Sequence, residues 1–383
     1  MRSGPDREPG NAAAQVWFGY ACRVRGKPPA LVVAGLLMAS TLVARSGERP
    51  IVIAHRGASG ERPEHTLEAY RLGIEQAADF VEPDLVATKD GVLVCRHENE
   101  ISGTTDVASR PEFAARRATK AIDGSPTTGW FTEDFTLAEL KTLRARERLP
   151  ELRGKAFDGR FEVPTFEEVL ALVAQANARP ERSGRPIGVY PETKHPSYFE
   201  GLGLALEKPL LEALRRHGLD RVDAPVFVQS FEVSNLRRLA SLTRVPLVQL
   251  IEPLGRPWDF TLERFARTYA DLVKPEGLRE IATYARGIGV HKSLVLPRDA
   301  GERLGPATTL VRDAHAAGLL VHVFTLRAEN QFLPAELRRG PGPSAAGDMA
   351  EEAALFLKAG VDGFFTDHPA LGVAARDAYL QRP

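Results

Sequence analysis

Cysteine is scarce in this chain: Cys22 and Cys95 are the only two among 383 residues, too few for a disulfide framework. Neither sign of charge is in excess, with 50 Lys+Arg against 50 Asp+Glu. Capture of nucleic acid relies on a basic face, so that class falls away. No apolar run reaches the roughly 20 residues that a membrane-crossing helix needs. No Gly-x-Gly-x-x-Gly follows the first strand-like run, which disfavours a dinucleotide-binding fold. The 28 prolines and 33 glycines fall in no repeat, which removes collagen-like and low-complexity readings. What remains is 43% hydrophobic and 26% charged, the balance of a folded globular chain.

Residues 1–49 differ from the rest. Arg23, Arg25 and Lys27 precede an apolar run from Ala30 to Ala44, and Arg45-Ser46-Gly47 follow. A basic region, a short apolar stretch and small residues in that order describe an export signal. The expectation is a leader over 1–49 and an exported protein, periplasmic or secreted, with no stable membrane span once the leader is removed. The apolar stretch starts late, which fits either an extended basic region or true initiation near Val24. Removal of the leader takes Cys22 with it and leaves Cys95 alone, inside an apolar strand.

From Ile51 onward, short runs rich in Val, Ile and Phe alternate with helical patterns. Candidate strands are Ile51–Ala54, Phe80–Val86, Val92–Arg96, Ile187–Pro191, Val226–Gln229, Pro246–Leu250, Gly287–Val290, Val321–Phe324 and Gly363–Thr366. Thr136 with Glu139, and Thr165 with Glu168, fit the capping box that opens a helix. Asp348 with Glu351 opens a last long helix. Leu67, Tyr70 and Ile74 share one helical face. Strands alternating with helices imply a parallel sheet, because parallel neighbours need crossover connections. The fold expected over 50–376 is α/β, a (β/α)8 TIM barrel, with a doubly wound sheet as the alternative. The polar stretch from Gly103 to Val163 reads as an insertion after the early strands.

Such a barrel keeps its site at the C-terminal ends of its strands. Ionisable residues follow or occupy four separate runs: His55-Arg56, Glu82-Pro83-Asp84, His97-Glu98 and Glu192-Thr193-Lys194. Glu82 and Asp84 are two apart on a strand, so both point to one face. A generic Glu-x-Asp belongs more often on a solvated face. Here Val81, Pro83 and Leu85 alternate with the carboxylates, which puts them inside the barrel. With Glu192 they make an oxygen-only set suited to Ca²⁺ or Mg²⁺ rather than zinc. His55 and His97 are the acid/base candidates, since imidazole titrates nearest neutral pH. Arg56 offers a planar fork for a phosphate, and Lys194 a point charge. His65 reads as a turn-shaping residue. His195, His217, His291, His315, His322 and His368 read as structural or surface residues.

Ile53-Ala54-His55-Arg56-Gly57 with Pro63-Glu64-His65-Thr66 resembles the opening signature of the glycerophosphodiester phosphodiesterases. Phe80–Val86, Thr88-Lys89-Asp90-Gly91 and Val92–His97 resemble that family's second and third strands. Pro191-Glu192-Thr193-Lys194 and Gly360–Asp367 are similar to later motifs, so the resemblance spans about Ile51 to Val373. The insertion is similar to that of the periplasmic, glycerol-3-phosphate-releasing branch. The resemblance implies Ca²⁺ or Mg²⁺ at Glu82, Asp84 and Glu192, catalysis by His55 and His97, and Arg56 and Lys194 at the phosphate. The implied partner is a small-molecule glycerophosphodiester, cleaved to glycerol 3-phosphate and an alcohol. Family members commonly carry His-Asp where this chain has His97-Glu98, which leaves the partner of His97 open. The rival readings are a phospholipase of the same barrel, a phosphodiester-binding protein without turnover, and a carbohydrate-active barrel in which Arg56 and Lys194 have no task.

Overall fold

The computed structural model describes residues 49–180 and 185–382. The leader expected over 1–49 lies, save Arg49, outside the described residues. Thirteen strands are present among them: β1 (Ile51–Ala54), β2 (Phe80–Val81), β3 (Asp84–Ala87), β4 (Leu93–Cys95), β5 (Ala118–Ile122), β6 (Ser125–Gly129), β7 (Gly188–Val189), β8 (Glu192–Thr193), β9 (Val228–Ser230), β10 (Leu247–Ile251), β11 (Gly287–His291), β12 (Leu320–Leu326) and β13 (Gly363–Thr366).

Two prolines explain the shortest pieces. β2 and β3 are halves of one strand parted at Pro83, and β7 and β8 are halves of another parted at Pro191. Proline has no N–H to give to the ladder. The neighbouring amides carry it across: Glu192 N donates to Pro83 O at 3.0 Å and Gln229 N to Pro191 O at 2.9 Å. Parallel pairing runs from β13 through β1 and β2 to β7. It also runs from β3 through β8, β9, β10, β11 and β12 back to β13. With the interrupted halves joined, the parallel strands number eight and their pairing closes into a ring. This is the (β/α)8 barrel.

The ninth candidate strand, Val92–Arg96, has another role. Its core, β4, pairs antiparallel with β3, with Leu85 opposite Cys95. The four residues between Val86 and the turn at Gly91 are far too few for a crossover helix, so only a hairpin is geometrically open. Hydrophobic periodicity carries no sign of strand direction, which is why this run reads like the others.

The apolar side chains form layers. Ile53, Tyr190, Val248 and Phe365 plug the barrel interior, with Phe80, Phe227 and Phe324 packed against them. Rings of Tyr190 and Phe365 meet edge to face at 5.0 Å. Burying each such side chain stabilises the fold by roughly 1.5–3 kcal/mol. His322 belongs to this plug, its Nδ1 2.8 Å from the Tyr190 hydroxyl, so its structural assignment stands. The insertion folds with the barrel. Its Val107, Phe113, Trp130, Phe135 and Leu140 join the same core as Val81, Leu85 and Cys95. Both expected capping boxes are formed, at Thr136–Glu139 and Thr165–Glu168, and Asp348 caps the late helix through the Glu351 amide.

Candidate active site

The end of β1 sets the geometry. After Ala54 the chain passes through His55 into Arg56, which adopts a left-handed conformation at φ 59°, and Gly57 at φ 89°. A Cβ on Gly57 would lie 2.5 Å from the backbone carbon of Ala69, so only glycine permits this turn against the first helix. His65 is also left-handed, at φ 54°, and its amide donates to the Arg56 carbonyl at 3.0 Å. Non-glycine residues held this way cluster at functional sites.

Above the aromatic plug lies a cleft of about 1050 Å³. All seven residues named from the sequence line it: His55, Arg56, Glu82, Asp84, His97, Glu192 and Lys194. Ligand oxygens of Glu82, Asp84 and Glu192 fall within 4.8 Å of one another, and all three residues are buried. Burial, reinforced by Asp84 and Glu192, pushes Glu82 well above the usual carboxylate range. Burial, with Asp84 adding to it and Lys194 opposing, pushes Glu192 up to about 7. Burial works on Asp84 too, but Lys194 and His65 outweigh it and hold that carboxyl well below its ordinary value. The Asp84 Oδ1 has no hydrogen-bond partner although it is fully buried. Crowded carboxylates with an orphaned oxygen fit a divalent cation bound through oxygen ligands.

The cations surround this set. Lys194 Nζ lies 2.7 Å from Glu192 Oε1 and 4.0 Å from Asp84 Oδ2. Arg56 donates its backbone N–H to Glu82 Oε2 at 3.2 Å and its NH1 to Glu64 Oε2 at 2.9 Å. Gln229, within β9, donates to Glu82 Oε1 at 2.7 Å.

Each candidate imidazole has a carboxylate behind it. His55 Nδ1 is 2.5 Å from Asp367 Oδ1, while its Nε2 faces Glu82 Oε2 at 3.9 Å. His97 Nδ1 is 2.5 Å from Glu98 Oε1. Glu98 therefore keeps a partner on His97 despite its extra methylene. Burial and the Arg56 charge lower His55 to about 4. Enclosure in the cleft, then Arg56 and Lys194, lower His97 to about 3.

Several functional residues escape a sequence reading. His65, read there as a turn former, is fully buried and bonds Asp84 Oδ2 through Nε2 at 3.0 Å, with Nδ1 on the Tyr70 hydroxyl at 2.6 Å. It orients a carboxylate of the cluster. His195 and His291, read as structural or surface residues, line the cleft. Asp367, which the sequence presents only as the end of the closing motif, faces His55. Its signal was its place at the end of β13, one strand from β1.

A family model, the glycerophosphoryl diester phosphodiesterase family, matches residues 55–371. The chain belongs to this family. It is 38% identical over 333 residues to a glycerophosphodiester phosphodiesterase of Arabidopsis thaliana, covering 83% of this chain and 84% of that protein. It is 30% identical to the glycerophosphodiester phosphodiesterase of Haemophilus influenzae, covering 84% and 88%. Among solved structures, a glycerophosphoryl diester phosphodiesterase described as putative, from Silicibacter pomeroyi, matches with TM-score 0.60 at 21% identity, over 87% of this chain and 94% of that one. An Oleispira antarctica phosphodiesterase in complex with its product sn-glycerol-3-phosphate matches with TM-score 0.52 at 23% identity, over 86% and 97%. These structures share the fold. The family is one of phosphoric diester hydrolases, and in this member its match begins at His55 and takes in both imidazoles and the carboxylate cluster.

Proposed function

We propose that the chain hydrolyses glycerophosphodiesters to glycerol 3-phosphate and an alcohol, using His55 and His97 as its acid/base pair. The observation that carries this reading is the flanking of an oxygen-only carboxylate cluster by two carboxylate-backed imidazoles and two cations. The product held by the Oleispira antarctica relative supports the choice of substrate. Glu82, Asp84 and Glu192 would hold Ca²⁺ or Mg²⁺, and a divalent ion bound there supplies Lewis acidity to the phosphoryl oxygens. Arg56 and Lys194 draw the phosphodiester anion into the cleft and balance charge on its oxygens. One imidazole takes the proton of the attacking hydroxyl, either water or the substrate's own 2-hydroxyl, in which case water then opens the cyclic phosphate so formed. The other returns a proton to the departing alcohol. Asp367 and Glu98 hold the Nδ1 protons, which leaves each Nε2 for this exchange.

The test is turnover of glycerophosphocholine with and without EDTA. The expected result is loss in the chelator and recovery with added Ca²⁺ or Mg²⁺. Full activity in EDTA, or stoichiometric binding without product, would overturn the reading. A second reading, a phospholipase acting on intact lipid, is favoured by one observation. Leu254, Leu262 and Phe265 are 84%, 55% and 50% exposed, on the segment whose Glu252, Arg256 and Trp258 line the cleft. Lysophospholipid assayed beside glycerophosphocholine separates the two. The basic and apolar pattern of residues 23–47 supports export to the periplasm or medium, and N-terminal sequencing of the secreted product tests it.

A further inference from the structure

The insertion returns to the cleft through one six-residue stretch, Arg148 to Arg153, which ends in the single helical turn Pro150–Arg153. The arginines at its two ends reach opposite sides of the site. Arg148 binds two carboxylates at once. Its Nε and NH2 donate to Glu64 at 2.7 and 2.6 Å, and its NH1 and NH2 donate to Glu98 at 3.0 and 2.6 Å. Glu98 faces His97, and Glu64 holds the Arg56 guanidinium. The Arg153 side chain is only 8% exposed and spends all its nitrogens nearby. NH2 donates to Asp367 Oδ2 at 2.6 Å, Nε to Glu329 Oε1 at 2.6 Å, and NH1 to the Ser59 carbonyl at 2.9 Å. Asp367 faces His55, and the Ser59 hydroxyl donates to the His55 carbonyl at 2.7 Å.

We propose that Arg148 and Arg153 are positioning residues for the two imidazoles, and that the insertion is thereby part of the acid/base apparatus. Neither arginine lines the cleft among the described residues, so neither is placed to touch substrate. Each acts through a carboxylate. A carboxylate that backs a histidine works only while ionised and held in one rotamer, and a forked guanidinium secures both. Lysine, a point charge, supplies the charge without the fork. The two sides are unequal. Asp367 Oδ2 also receives Arg327 Nε at 2.7 Å, whereas Arg148 is the only arginine or lysine bound to Glu98 among the described residues. His97 therefore depends on the insertion more than His55 does.

This proposal rests on the acid/base reading above, so its test separates the two. Steady-state kinetics on glycerophosphocholine are measured for Arg148→Met, Arg148→Lys, Arg153→Met and Glu98→Gln, for Arg148→Met combined with Glu98→Gln, and for His97→Ala. Thermal melts report folding of each. Groups that orient an active side chain from behind typically contribute 10–100-fold. Arg148→Met is expected to lower kcat by about that factor, Arg148→Lys to lie between it and the parent, and Arg153→Met to lose less. The Arg148→Met loss in kcat is expected to vanish in the Glu98→Gln background, because its route to His97 is already cut, while a rise in KM through Glu64 and Arg56 persists. Parent-like kcat in folded Arg148→Met or Arg148→Lys, or fully additive losses in the double variant, would overturn the proposal. Parent-like kcat in His97→Ala would overturn the acid/base reading itself.

Discussion

Asp84 and Glu192 are register partners on adjacent parallel strands, β3 and β8. Their carboxylates are thus fixed side by side by the sheet, with Glu82 two residues before Asp84 on the same face. Backbone pairing, and not side-chain flexibility, sets the spacing of the cluster.

That spacing makes cation binding pH-dependent. Glu192 sits at about 7 and Glu82 well above its ordinary value. A cation must displace their protons, so affinity for Ca²⁺ or Mg²⁺ is expected to rise as pH climbs from 5.5 to 8, with proton release seen by calorimetry in buffers of different ionisation enthalpy. The stability sign follows. Both groups are raised in the folded state, so their contribution is full below about 4.5 and is lost as pH rises, for Glu192 through about 7. A cation removes that loss. The difference in Tm between loaded and metal-free protein should widen over the same range, and a constant difference would count against the cluster as the cation site.

His65 fixes Asp84 from a fully buried position. His65→Ala is expected to weaken cation affinity by about 10–100-fold, read by calorimetry, with kcat at saturating cation less affected than the affinity. Unchanged affinity would show that Asp84 needs no such support.

The imidazoles yield a spectroscopic prediction. Burial and then Arg56 depress both, and Lys194 also depresses His97. A bound phosphate pairs with those cations and cancels their effect. Inorganic phosphate is therefore expected to raise both histidine pKa values above about 4 and about 3, with the part due to burial remaining, followed by NMR of the ring carbons. Absence of any shift on saturation would place the anion elsewhere.

His55→Ala and His97→Ala are each expected to lower kcat by about 10²–10⁴-fold with the fold retained by thermal melt. Asp367→Asn should approach the His55 effect, since an amide there no longer selects the Nδ1–H tautomer. A double variant of both histidines that loses no more than either alone is the expected signature of a pair acting in one step.

The seven cleft residues were legible because each follows or interrupts a strand, where sequence position translates directly into barrel geometry. The run Val92–Arg96 misled for the opposite reason: its antiparallel direction was set by the five-residue turn Thr88–Val92, not by its own pattern. His65 looked like a turn residue because its partner, Asp84, is 19 positions away. Arg148 and Arg153 sit in a polar stretch dense with arginine, where nothing local distinguishes a buried fork from a solvated one. Asp367 was visible as a strand end, but its pairing with His55 spans 312 residues. Only the closure of the ring makes them neighbours.

That closure gives the site an order in time. β1, which carries His55, finds one of its two strand neighbours only in β13. A chain halted before Gly363 has the cation ligands, both histidines and Arg56, yet its first strand has an open edge and its first imidazole no carboxylate behind it. The pairing of His55 with Asp367 is therefore completed only when the last strand of the ring is in place.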